Sequence, residues 1–90
     1  MLRGGLGYYY TFWSGVLTLT YPADSATGVT EPITFTWNAF TGATDYQIQI
    51  ASEGTFASPV IDELTSNTTS YETSALDAGS TYYWRVRAIL

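Results

Sequence analysis

The sequence predicts an all-β fold, an antiparallel sandwich of about seven short strands. Apolar and polar residues alternate with a period of two along several stretches, and no segment holds a helical period for three turns. β-Branched and aromatic residues fill those stretches, so intrinsic preference and pattern agree. Polar clusters rich in Gly, Pro, Asp, Ser and Thr separate them at the spacing of a sandwich.

The strands follow in order. In VLTLTY, Leu17, Leu19 and Tyr21 alternate with Thr18 and Thr20. PADSATGVTEP is polar and punctuated, which predicts a turn region. ITFTWNA sets Ile33, Phe35 and Trp37 on one face and Thr34 and Thr36 on the other. TGATD turns the chain, and YQIQIA directs Tyr46, Ile48 and Ile50 inward and Gln47 and Gln49 outward. SEGTFASP reads as a loop with room for one helical turn. VIDEL and TSYET are shorter, weaker strands around the polar TSNTT. TYYWRVRAI places Tyr82, Trp84, Val86 and Ala88 against Tyr83, Arg85 and Arg87.

Composition narrows the function. Ninety residues make one domain, and 46% apolar content with 12% charged residues is too apolar for disorder. The chain has no cysteine and no histidine, so disulfides, thiolate metal sites and the commonest general base are excluded. The net charge is −5, with Arg3, Arg85 and Arg87 the only cations, which disfavours nucleic acid and anionic membrane surfaces. No apolar run is long enough for a membrane-spanning helix. Residues 1–13 lack the aliphatic stretch of a signal peptide. An acidic, lysine-free, Thr/Ser-rich surface suits an extracellular, cell-surface or virion setting. Ser and Thr lack a His or Lys base, so no enzyme is expected, and no cofactor.

LDAGSTYYWRVRA carries a resemblance. Leu76, followed across an Asp-Ala-Gly turn by Tyr82, resembles the tyrosine corner of fibronectin type III (FN3) domains, an Ig-like sandwich. In that family the tyrosine hydroxyl bonds to backbone on the connection before it. ITFTWNAFTGATDYQIQIA is similar to the family's second and third strands, with Trp37 and Tyr46 at its core positions. LTYPADSATGV resembles the first strand of FN3 repeats of bacterial surface proteins. The resemblance covers residues 17–89 and implies Trp37, Tyr46, Leu76 and Tyr82 as structural core; Trp84 and Tyr71 also fall on inward positions.

The family's last strand, G, does not follow residues 81–89. Instead RGGLGYYYTFWSG, at the front, is similar to a loop plus strand G, so the domain reads in permuted order. Residues 1–16 are then a G-like strand with its linker, and residues 17–90 the remaining sandwich. In the family's orientation the end of G lies at the pole opposite the start of the first strand. The three residues between Trp13 and Leu17 reach about 10–14 Å, against roughly 27 Å for a strand of about eight residues. The expectation is therefore that residues 7–14 are donated to a second copy and that copies join head to tail into a surface filament, the contact being heterologous. Tyr8, Tyr10 and Phe12 are the expected inward plugs, with Tyr9 and Trp13 outward. Tyr82, Trp84, Val86 and Ala88 line the acceptor, and Gly4, Gly5 and Gly7 form a flexible break.

Two other readings stand beside this one. The N-terminal segment can close its own sandwich by a rearranged topology, or belong to a covalent tandem array, leaving a self-contained binding module. Alternatively Tyr9, Trp13 and Tyr83 form a platform for sugar rings, so glycans and surface proteins are further candidate partners. Adjacent Asp62 and Glu63 point to opposite faces and do not chelate together. Asp24, Asp45 and Asp77 suit turn capping. Asn67-Thr68-Thr69 fits a glycosylation sequon.

Overall fold

The computed structural model describes residues 6–10, 17–74, 76–77 and 79–90, with Leu6 and Tyr10 described by backbone alone. These residues contain eight strands and no helix. The strands are β1 (Leu6–Tyr10), β2 (Leu19–Tyr21), β3 (Ala26–Val29), β4 (Ile33–Trp37), β5 (Asp45–Ala51), β6 (Ile61–Leu64), β7 (Ser70–Thr73) and β8 (Thr81–Ile89). A five-stranded sheet has the order β3-β1-β8-β5-β6, and a three-stranded sheet the order β2-β4-β7.

The alternation explains the core. Ile33, Phe35 and Trp37 are the inward residues of β4, and Tyr82, Trp84 and Val86 those of β8; all are buried. On β5, Tyr46, Ile48 and Ile50 meet them. The inner faces of both sheets thus share one apolar cluster, and the molecule is a β-sandwich. The Phe35 and Trp84 rings lie edge to face at 5.0 Å, and those of Trp37 and Tyr46 at 5.9 Å. Each fully buried aliphatic such as Ile33 or Ile48 contributes roughly 1.5–3 kcal/mol of transfer free energy.

Two core tyrosines anchor loops with their hydroxyls. Tyr82 Oη accepts the Asp77 N–H at 2.9 Å, and buried Leu76 packs in the same cluster. Tyr46 Oη accepts the Phe40 N–H at 2.8 Å. Glu31 Oε2 accepts the Leu76 N–H at 2.8 Å, tying the approach to β4 to the approach to β8.

Several expectations are corrected. There are eight described strands rather than about seven, and the pairing is not wholly antiparallel. The supposed turn region contains β3, whose only strand partner among the described residues is β1. Tyr21 is 48% exposed rather than inward, because the β2–β4 register shifts between Leu19 and Tyr21. Tyr71 and Ala88 are half-buried at the margin of the core. Gln49 faces outward as expected, yet it is buried beneath its partners Arg85 and Asp62. Phe56, in the predicted loop, is buried with positive φ and lies under Arg85.

Candidate functional site: the seat of the N-terminal strand

β1 occupies the slot between β3 and β8. Gly7 to Tyr10 pair in parallel with Thr81 to Trp84, residue for residue, and the Gly7 N–H also donates to the Ser80 carbonyl at 3.0 Å. On the other side β1 pairs antiparallel with β3, Leu6 opposite Val29 and Tyr8 opposite Ala26, with a register shift between them. β1 is therefore an internal strand. Gly7, expected in a flexible break, is part of this ladder.

Alternation aims Tyr8 inward and Tyr9 outward, as expected. Tyr8 is 0% exposed; its ring meets Phe35 edge to face at 5.3 Å and lies over Tyr82 at 6.2 Å. Tyr9 is 41% exposed and stacks on Tyr83 at 5.2 Å. The Tyr10 side chain, Phe12, Trp13, Gly4 and Gly5 lie outside the described residues. Of the expected acceptor residues, Tyr82 lines the wall against Tyr8, and Trp84 completes it through Phe35. Val86 and Ala88 lie beyond the described reach of β1.

The Tyr8 hydroxyl sets this seat apart from the other core tyrosines. It is buried, and among the described residues no group lies within hydrogen-bonding reach of it. Burial, reinforced by the nearby Glu31 carboxylate, pushes its pKa well above the usual phenol value. Leaving a hydroxyl dry and unpartnered costs about 1–3 kcal/mol.

Direction corrects the reach argument. Phe35 of β4 touches both Tyr8 and Trp84, whereas Trp37 touches Tyr46, the register partner of Ala88. β4 and β8 therefore cross the sandwich the same way. β2 runs against β4 and begins with Leu19 opposite Trp37. A strand parallel to β8 thus heads for the pole at which β2 begins, and residues 11–18 can span roughly 30 Å. The expectation that a second copy must receive the segment assumed the opposite direction. Running parallel, β1 is seated in the sandwich of its own chain.

The outer face of the same sheet is a polar ladder. Arg85 donates through Nε and Nη2 to Gln49 Oε1 at 2.9 and 2.6 Å, and Arg87 Nε donates to Gln47 Oε1 at 2.8 Å. Both glutamines then donate to Asp62, at 2.6 and 3.0 Å, and these two bonds are the main reason its pKa falls below the usual carboxylate value. Arg85 also stands 4.3 Å over the Phe56 ring. The arginines thus reach the acidic β6 through glutamines. Glu63 points away from this ladder, being the register partner of Ile48. The stacking of Tyr9 on Tyr83 turns one face of each ring toward the other, and the Gly54 backbone lies near the Tyr83 ring. Trp13, the third ring of the expected sugar platform, lies outside the described residues.

Asp45 caps the turn before β7: its Oδ1 accepts the N–H of Asn67 at 3.0 Å and of Tyr46 at 2.7 Å, and these bonds hold its pKa down. Asn67 is exposed there with φ of 63°. Among the described residues no cluster of acidic side chains suited to a metal ion forms, and no helix is long and apolar enough to cross a membrane. Sequence reasoning missed β3 and Phe56; their signals are non-local, one being the partner strand and the other the cation above the ring. Comparison with family models, with curated proteins and with solved structures gives no match.

Proposed function

We propose that the chain is a structural module, an FN3-like sandwich completed by its own N-terminal strand, acting as a spacer or protein-binding unit in an extracellular or surface setting, and not as a catalyst. The observation that carries this reading is the seat of β1, with Tyr8 fully buried in the core of the same chain and backbone pairing on both flanks. In FN3 terms β1 takes the place of strand G with its direction reversed. The hydrogen bond from the Asp77 N–H to Tyr82 Oη, beside buried Leu76, supports the FN3 likeness. A chain with no His, Lys or Cys also suits a mechanical rather than a chemical role.

Light scattering at low micromolar concentration, together with limited proteolysis, tests the proposal. The expected result is a monomeric mass with residues 6–10 protected from cleavage. Large, concentration-dependent masses in that range, abolished by deletion of residues 1–14, would overturn self-closure and restore obligate head-to-tail assembly.

A further inference from the structure

We infer that the slot between β3 and β8 is an exchangeable acceptor, which at high local concentration takes residues 6–10 of a second copy of this chain in place of its own. The inference rests on the self-closed module and adds that the closure can open. The occupant is defined because the slot is seen filled: the Phe35 and Tyr82 rings receive an inward tyrosine, and the β8 and β3 backbones receive an extended strand. A neighbour's β1 would make the same contacts, so cis and trans occupancy differ mainly in effective concentration. For strands tethered by a short linker that is on the order of millimolar.

Three features make opening accessible. No disulfide holds β1, since the chain has no cysteine. Release lets the buried Tyr8 hydroxyl, unpartnered among the described residues, recover hydrogen bonds to water. The β3 side of the seat is interrupted by a register shift. Once open, the slot presents two unpaired strand edges beside an apolar gap, an arrangement that captures another extended strand. Leu6–Tyr10 carries no charge, whereas the chain carries −5, so added salt should favour exchange by screening repulsion between copies.

Two single variants, Tyr9→Cys and Tyr83→Cys, test this when mixed in equal amounts and oxidised. Tyr9 and Tyr83 are register partners with outward side chains, so each change spares the core. No chain in the mixture can bridge to itself. One variant carries a size tag, so mixed and like-with-like dimers separate on a gel. Exchange predicts that at about millimolar protein and physiological salt the mixed dimer exceeds either like dimer by roughly tenfold, fading at micromolar protein. Mixed dimers at only the random twofold share, or none, would overturn the inference. Light scattering of the unaltered chain over the same range gives an independent readout: rising mass is expected, and a monomer throughout would also overturn exchange. That last result would leave the self-closed module intact, whereas assemblies already present at low micromolar protein would refute self-closure instead.

Discussion

β8 has two neighbours that it holds in different ways. On one flank β5 pairs antiparallel over its whole length, from Asp45 opposite Ile89 to Ala51 opposite Tyr83. That ladder is backed by Ile48 and Ile50 inside and by the Arg85–Gln49 and Arg87–Gln47 bonds outside. On the other flank β1 pairs in parallel from Gly7 to Tyr10, its described core contribution being Tyr8. The β5 flank satisfies the hydroxyl of its buried tyrosine, Tyr46, while the β1 flank leaves that of Tyr8 without a partner among the described residues. One flank is built as permanent structure and the other as a closure, which is the physical basis for a strand that seals the sandwich and can be exchanged.

The largest effect separating the flanks should come from paired truncations. Trp84→Ala removes a fully buried ring packed on Phe35 and should cost about 3–5 kcal/mol, loosening both flanks together. Tyr8→Ala is also a large-to-small change, but its damage should be local: amide exchange protection lost in β1 and β3 and retained between β5 and β8. Uniform loss of protection in Tyr8→Ala would erase the distinction.

Tyrosine-to-phenylalanine changes sharpen it further. Tyr82→Phe and Tyr46→Phe each strand a backbone N–H and should cost about 1–2 kcal/mol in denaturant unfolding. Tyr8→Phe removes a hydroxyl without a described partner and should be neutral or stabilising by up to about 1 kcal/mol. A Tyr8→Phe penalty matching the other two would show that its hydroxyl is bonded.

Alkaline titration should also single out β1. The folded-state pKa of Tyr8 lies above its unfolded value, so above about pH 10 the unfolded chain releases a proton that the folded chain retains. Stability is therefore complete below that pH and falls as pH rises through the gap, with the loss appearing first as β1 release. The Tyr8→Phe variant should lack much of this loss in thermal melts; an unchanged alkaline limb would count against a buried Tyr8.

The smallest effect belongs to the other flank. Asp62, held down by Gln47 and Gln49, and Asp45, held down by the Asn67 and Tyr46 N–H groups, have depressed folded-state pKa values. Their contribution is present above the unfolded carboxyl range near about pH 4 and is lost as pH falls through the folded values. The acid limb should weaken in Asp45→Asn and Asp62→Asn, modestly because both carboxylates are solvated.

The permanent part was the legible part. Strict alternation in ITFTW, YQIQI and TYYWRV encodes β4, β5 and β8, because one face of each is buried and a slip of one residue would invert it. The Tyr82 hydroxyl bond was implied by the resemblance of Leu76 and Tyr82 to the FN3 tyrosine corner. The closure was not. ATGV has no alternation to show, and β3 exists because β1 lies beside it. The side on which Tyr8 faces could be read from alternation, but strand direction leaves no trace in a period-two pattern, which is the same read either way. The reach argument therefore imported a direction, and the outcome turned on it. Phe56 was hidden for a similar reason: its cover, Arg85, comes from a distant strand.

The account stands on β1 lying parallel to β8 within its own chain. Engineered cysteine pairs at low micromolar protein test this most directly, since the chain supplies no others. The register predicts that Tyr9→Cys/Tyr83→Cys and Gly7→Cys/Thr81→Cys each close a disulfide inside a monomer, while the crossed pairs Gly7→Cys/Tyr83→Cys and Tyr9→Cys/Thr81→Cys do not. Closure of the crossed pairs instead, or bridges forming only between chains, would contradict it.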